Sequence, residues 1–137
     1  MYTRIVKFVL SFSFLFILVS CRESMHERFK REAREYTEQN CPCSMGDGMT
    51  VLDSMVYAEK SSLGEWAIHY SVFLDEEQKK ELMSKKDELE RLNLKFVQNS
   101  PIFIKQKEAG IDFAFMYYDA ETKTKMLECR YAKKDYE

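Results

Sequence analysis

The sequence predicts an α+β fold with elements in the order α-β-β-α-(α)-β-β. Apolar residues recur every three or four positions at about 24–40 and 76–97, which is typical of amphipathic helices. Apolar and polar residues alternate, with many β-formers, within about 49–74 and 111–132. The simplest packing of these elements is a four-stranded antiparallel sheet with helices packed on one face.

The composition excludes several broad classes of protein. The chain has 137 residues and a net charge of −2, with 45% hydrophobic and 32% charged residues. It is too apolar for a disordered chain and too charged for a protein with several membrane spans. The near-neutral charge removes the usual electrostatic basis for nucleic-acid binding, so we expect no nucleic-acid partner.

The first predicted helix lies at about 24–40. Its apolar stripe consists of Met25, Phe29, Ala33 and Tyr36. Charged residues occupy the rest of its surface, as in a helix with one buried face. We expect the helix to end at Asn40, because Pro42 follows two residues later.

A hairpin is predicted next, at about 49–74. Residues 49–59 and 66–74 carry the β-formers, and residues 60–64 between them contain serines and a glycine that favour a turn. The second hairpin, at about 111–132, turns within 121–124.

Helices are predicted between the hairpins, at about 76–109. Asp75 is followed three residues later by Gln78, a spacing that resembles a capping box. Pro101, directly after a serine, indicates the start of a second, short helix, and Gly110 indicates its end.

Alternation along the hairpins divides their side chains between the two faces of the sheet. The set predicted to pack on the helices is Leu52, Val56, Ile68, Tyr70, Val72, Ile111, Phe113, Phe115, Leu127 and Tyr131. The opposite set is Asp53, Met55, Tyr57, His69, Ser71, Phe73, Asp112, Met116, Tyr118, Glu128 and Arg130. Its aromatic and methionine members predict a binding surface made of Tyr57, His69, Phe73, Met116 and Tyr118. The alternative is an ordinary solvated face with cross-strand aromatic pairs.

The N-terminal segment has the features of a secretory signal peptide. Arg4 and Lys7 precede an uncharged run from Phe8 to Ser20. As a helix this run would span about 20 Å of a hydrocarbon core roughly 30 Å thick, so a membrane-spanning helix is the weaker interpretation.

This segment ends in a sequence that resembles the lipobox of bacterial lipoproteins, Leu18-Val19-Ser20-Cys21. The resemblance implies that residues 1–20 are a cleaved signal peptide and that residues 21–137 form one mature α+β domain. It also implies that Cys21 carries lipid on its thiol and holds the domain on a bilayer. Arg22 is not the residue associated with inner-membrane retention, so we expect the outer membrane, with the leaflet left open.

Three further cysteines would lie in an oxidising compartment, where disulfides form. A bond between Cys41 and Cys129 would close a loop of about 89 residues, worth roughly 4–5 kcal/mol in the chain-entropy model. We predict this disulfide, with Cys43–Cys129 as the alternative. The segment from Cys41 to Cys43 lacks the Cys-x-x-Cys spacing of redox pairs.

No pattern in the sequence predicts catalysis. His69 lies among aromatic residues, but no motif places a serine, a cysteine or a pair of carboxylates beside it. Cys41 and Cys43, taken with His26 and His69, lack a second ligand pair at the spacing of a zinc site. We therefore expect no catalytic residue, no metal and no cofactor.

The mature segment resembles the small lipoproteins of Gram-negative bacteria in which one compact α+β domain follows the lipobox. The resemblance rests on three short motifs, Asn40-Cys41-Pro42 after a charged helix, Leu52-Asp53-Ser54 in the first strand, and Asn99-Ser100-Pro101. It implies no activity, cofactor or catalytic residue. Cys43 departs from the pattern.

The sequence thus predicts a membrane-tethered, non-catalytic lipoprotein of the cell envelope that binds a protein or peptide through a sheet face or a sheet edge. Its expected partners are the bilayer, through acylated Cys21, and an envelope protein or peptide. One alternative is a structural or stress-response envelope lipoprotein without a ligand. An enzyme using His69 or the thiols is the least supported alternative.

Overall fold

The fold is described by a computed structural model that covers residues 22–60 and 63–137. The predicted signal peptide and Cys21 lie outside the described residues. The α+β class is confirmed, because helices pack on a five-stranded sheet. Within the described ranges, no helix is long and apolar enough to cross a membrane.

The strands and helices have the following bounds. The strands are β1 (Cys43–Ser44), β2 (Thr50–Glu59), β3 (Gly64–Val72), β4 (Asp112–Asp119) and β5 (Lys125–Tyr131). The helices are α1 (Met25–Asn40), α2 (Glu76–Ser84), α3 (Lys86–Asn99), α4 (Ile104–Glu108) and α5 (Lys133–Tyr136), with a 3₁₀ turn at Pro101–Phe103.

Both long helical segments begin at a capping box. The Ser24 hydroxyl accepts from the Glu27 N–H at 3.1 Å, and the Glu27 carboxylate accepts from the Ser24 N–H at 3.0 Å. Asp75 and Gln78 make the same reciprocal pair at the start of α2. Each box satisfies N–H groups that the first turn of a helix leaves without a partner.

The strands follow one another across the sheet in chain order, β1-β2-β3-β4-β5. Neighbouring strands are antiparallel except β3 and β4, which are parallel. The prediction of four antiparallel strands is therefore wrong on two counts. The short β1 adds a strand, and the helical connection of α2, α3 and α4 carries the chain back to the end where β3 starts, so that β4 runs in the same direction.

The core lies between the sheet and helices that all pack on one face. Phe29 and Ala33 of α1 and Val97 of α3 are buried against it. Phe103, from the 3₁₀ turn, has its ring centroid 5.0 Å from that of Phe113 on β4. The crossover is thus fixed to the sheet by aromatic packing.

The predicted alternation fails in β2. Its pairing with β3 shifts between Leu52 and Ser54, so that Asp53 is an extra residue in a β-bulge. Every later side chain of β2 consequently moves to the other face. Met55 and Tyr57 therefore lie in the core and Val56 is exposed, the reverse of the predicted arrangement.

Adjacent substitutions in β2 test this register. Met55 is 4% exposed and Val56 is 43% exposed. We expect Met55→Ala to lower the free energy of unfolding by about 2–5 kcal/mol, because it leaves a cavity in the core. Val56→Ala should cost under about 1 kcal/mol. Chemical denaturation of both variants measures the difference, and a larger loss from Val56→Ala would show that the bulge is misplaced.

Candidate functional site

The face of the sheet opposite the helices is called the open face here, because no described helix packs on it. Residues paired directly across neighbouring strands lie on the same side of a sheet, so the register defines its members. They are Ser44, Val51, Ser54, Val56, Ala58, Glu65, Ala67, His69, Ser71, Asp112, Ala114, Met116, Tyr118, Lys125, Glu128 and Arg130.

The centre of the open face is a row of side chains in mutual contact. His69 pairs with Ser54 on β2 and with Met116 on β4. Its Nδ1 lies 3.4 Å from the Ser54 Oγ, and its ring packs edge-on against Tyr118 with centroids 5.7 Å apart. The Tyr118 hydroxyl donates to the Met116 sulfur at 3.5 Å. These half-buried side chains form an ordered surface with both apolar and hydrogen-bonding groups.

Burial lowers the pKa of His69 below its ordinary value of 6.5, and the nearby Asp53 carboxylate opposes this shift. The imidazole is therefore neutral at neutral pH. The Asp53 carboxylate accepts a hydrogen bond from the Ser71 hydroxyl. A neutral imidazole can donate and accept hydrogen bonds at a contact surface without the cost of removing a charge from water.

The end of the open face where β3 starts carries an ion-pair network around the buried carboxylate of Glu65. Lys60 Nζ donates to Glu65 Oε2 at 2.6 Å, and the Arg130 guanidinium donates to the same oxygen. Arg130 is on β5 and Glu65 is on β3, so the arginine side chain must pass over β4. The residue of β4 that pairs with Arg130 is Ala114, whose small side chain leaves room for it. Two cations thus compensate the burial of one carboxylate.

Four of the five predicted surface residues belong to this region. His69, Met116 and Tyr118 lie on the open face, and Phe73 directly follows β3 with 61% of its surface exposed. Tyr57 does not belong, because the bulge turns it into the core. There its hydroxyl is 2.7 Å from the Nδ1 of His26.

Val56 is the open-face residue that sequence reasoning assigned to the helix-packed face. Nothing local in the sequence marks the bulge, since residues 49–59 are compatible with unbroken alternation.

One edge of the sheet is covered. The Met55 N–H donates to the Thr37 hydroxyl oxygen at 2.9 Å, and that hydroxyl lies 3.0 Å from the Met55 carbonyl oxygen. Thr37 of α1 thereby occupies positions that an added strand would use. At the other edge, β5 has no strand beside it within the described residues and presents Lys125 and Arg130. The open face is thus a better candidate than the β2 edge.

The predicted Cys41–Cys129 disulfide is not found. Within the described residues, Cys41, Cys43 and Cys129 are all free thiols. Cys43 is in β1 and Cys129 is in β5, at opposite edges of the sheet. Strands are about 4.8 Å apart, so these edges are separated by roughly 19 Å, whereas disulfide Cα atoms lie within about 7 Å. This separation also excludes the Cys43–Cys129 alternative, and Cys41 lies only two residues before Cys43.

Burial is the main cause that raises the pKa of both Cys41 and Cys129. A raised pKa lowers the fraction of reactive thiolate, so neither site favours thiol chemistry. In the part of the chain that the structure describes, no group of three His, Cys, Asp or Glu side chains is placed to hold a metal ion.

A family model described as "Domain of unknown function (DUF8479)" matches residues 24–127. The chain belongs to the DUF8479 family. The matched segment of this DUF8479 protein runs from the N-cap of α1 into β5, so it includes the central row of the open face. No curated protein sequence matches the chain.

Two solved structures resemble this DUF8479 domain. One is a protein from Pseudomonas aeruginosa described as secreted, with 10% identity and a TM-score of 0.63 over 83% of this chain and 98% of the other. The other is the pilotin EpsS of the Vibrio vulnificus type 2 secretion system, with 10% identity and a TM-score of 0.48 over 82% and 91% of the two chains. At this identity the first structure shows a shared fold alone.

The surroundings of His69 predict a pH-dependent contribution to the stability of the DUF8479 domain. The pKa of His69 is lowered in the folded state, so below pH 6.5 the unfolded chain takes up the proton more readily. The contribution of neutral His69 to the free energy of unfolding is therefore complete above pH 6.5 and is lost as the pH falls below it. Unfolding free energies measured between pH 7.5 and 5 should show that the advantage of the wild type over His69→Gln shrinks on acidification. A difference independent of pH would contradict this account.

Proposed function

We propose that the protein is a membrane-tethered, non-catalytic accessory lipoprotein of the cell envelope whose open face binds a protein or peptide. The observation that carries the proposal is an uncovered sheet face with an ordered row of His69, Met116 and Tyr118 at its centre. Aromatic and methionine side chains are enriched in protein interfaces, and here they lie beside the exposed Phe73 and Val56.

The side chains around His69 support a binding role over a catalytic one. An imidazole that acts as a general base is usually oriented by a carboxylate and lies within about 3.2 Å of its proton donor. Here the Asp53 carboxylate is bonded to Ser71, and the Ser54 hydroxyl is 3.4 Å from the ring nitrogen. His69 therefore fits a structural and recognition role.

The start of the described domain supports lipid anchoring at Cys21. The N-cap of α1 is Ser24, so only Arg22 and Glu23 separate the lipobox cysteine from a folded, capped helix. A lipoprotein cleaved before Cys21 would retain the whole domain. Its proposed location is the outer membrane.

Mass spectrometry of the intact protein purified from membranes tests the anchor. We expect a species that begins at Cys21 and carries acyl groups, because cleavage follows lipid attachment to the thiol. The matched variant Cys21→Ser should keep the signal peptide and carry no acyl mass. An unacylated wild-type protein would contradict the tether.

Site-specific photo-crosslinking in cells tests the binding face. Phe73 and Leu92 have similar exposure, 61% and 56%, but Phe73 adjoins the open face whereas Leu92 is on α3. A photoreactive phenylalanine at Phe73 should yield a discrete crosslinked protein, and the same group at Leu92 should not.

The substitution Tyr118→Ala, combined with the crosslinker at Phe73, should reduce the yield about tenfold or more, because truncation of an aromatic interface residue commonly costs over 1.4 kcal/mol. Equal crosslinking from Phe73 and Leu92, or none from Phe73, would contradict binding at the open face. The second result would favour a structural envelope lipoprotein without a ligand.

A further inference from the structure

We propose that the end of the domain next to Cys21 rests on the bilayer interface, so that the strands stand across the plane of the membrane. This end is called the tether end and is defined by the exposed apolar residues Met25, Leu63, Ile102 and Ile104. The inference rests on the proposed acylation of Cys21, and it adds a second, non-covalent membrane contact of stated geometry.

The link between the lipid and the domain is short. Residues 22–24 span at most about 11 Å even when fully extended. The two carboxylate oxygens of Glu23 accept from Arg31 at 2.8 and 2.9 Å, which fixes this segment to the side of α1. The start of α1 must therefore lie within about 14 Å of the acylated cysteine.

Aromatic contacts show which other elements lie at the same end. Phe29, one turn into α1, packs against Trp66 near the start of β3, with ring centroids 6.3 Å apart. Trp66 in turn packs against Phe103 of the 3₁₀ turn at 6.3 Å. Since β4 runs parallel to β3, its first residues and the preceding α4 lie here as well.

The 3₁₀ turn and α4 present an amphipathic surface at this end. Phe103 and Gln106 point into the domain, whereas Ile102, Ile104 and Lys105 are exposed. Apolar side chains beside lysines are typical of surfaces that insert a few ångströms into the boundary between headgroups and acyl chains. Exposed Lys133 and Lys134 of α5 lie at the same end, where Lys133 pairs with Glu137 at 3.2 Å.

The opposite end of the domain carries nine acidic residues, which are offset in part by Lys79, Lys80, Lys85, Lys86, Lys123 and Lys125. Acidic residues at the starts of α2 and α3 and in the adjoining loops are Asp47, Asp75, Glu76, Glu77, Glu81, Asp87, Glu88, Asp119 and Glu121. Met45, Met49 and Met83 are exposed there too, so apolar exposure alone does not select the membrane-facing end. The position of Cys21 does, because the acyl chains on its thiol hold the adjoining end of the domain at the bilayer.

This orientation has a consequence for recognition. A strand of the length of β3 extends about 30 Å from its start to its end. When the strands run away from the bilayer, the open face is roughly perpendicular to the membrane surface. Neither lipid nor helices then cover its central row.

Fluorescence quenching of the acylated protein tests the orientation. The protein is incorporated into vesicles of phosphatidylethanolamine and phosphatidylglycerol with brominated acyl chains, which quench nearby tryptophan. Ile104→Trp and Met83→Trp are matched variants, because the two side chains are 50% and 48% exposed at opposite ends of the domain. The native Trp66 is buried and gives the same background in both.

We expect the emission added by Ile104→Trp to fall at least about twofold in brominated vesicles, since interfacial side chains reach about 5–10 Å into the headgroup and acyl boundary. The emission added by Met83→Trp should be unchanged. Flotation of the same vesicles shows whether each protein is membrane-bound.

Two results would overturn the inference, and they are distinguishable. If both variants float with the vesicles but Ile104→Trp is quenched no more than Met83→Trp, the anchor stands and the orientation is wrong. If the wild-type protein does not float, the acyl anchor itself is absent, and the tether fails together with the orientation.

Discussion

Aromatic packing around Trp66 is the interaction on which the rest of the structure depends. Its ring contacts Phe29 of α1, Tyr57 of β2 and Phe103 of the 3₁₀ turn, with centroids 6.3–6.5 Å away. Such pairs contribute about 0.5–1.5 kcal/mol each beyond the burial of their area. One residue of the central strand thereby joins the first helix, the first hairpin and the crossover, although these elements are far apart in the sequence.

The same packing leaves one face of the sheet free. Because α1, α3 and the 3₁₀ turn all pack on the Trp66 side, the other face must be stabilised by its own side chains. At one end of the face, the long Arg130 side chain passes over the small Ala114 of β4 and reaches Glu65. At the centre, the side chains of His69, Met116 and Tyr118 contact one another. A face stabilised within itself is already ordered, so a partner that binds it would lose little free energy to ordering side chains.

The bulge at Asp53 determines which residues that face presents. It moves Tyr57 into contact with Phe29 and turns Val56 outward. It also brings the Asp53 carboxylate to the Ser71 hydroxyl, which donates a hydrogen bond to it. A one-residue irregularity in one strand therefore decides which side chains of β2 the open face presents.

Local features of the sequence determined the capped starts of α1 and α2, the strand character of both hairpins and the burial pattern of β3, β4 and β5. These depend on residues within a few positions of one another, where hydrogen-bonding side chains and alternation act directly. Tertiary structure alone decided the parallel pairing of β3 with β4, the bulge at Asp53 and the separation of Cys43 from Cys129. Each of these depends on which distant segments pack together. The residues next to Trp66 and Phe103 in the sequence do not indicate that these two rings are in contact.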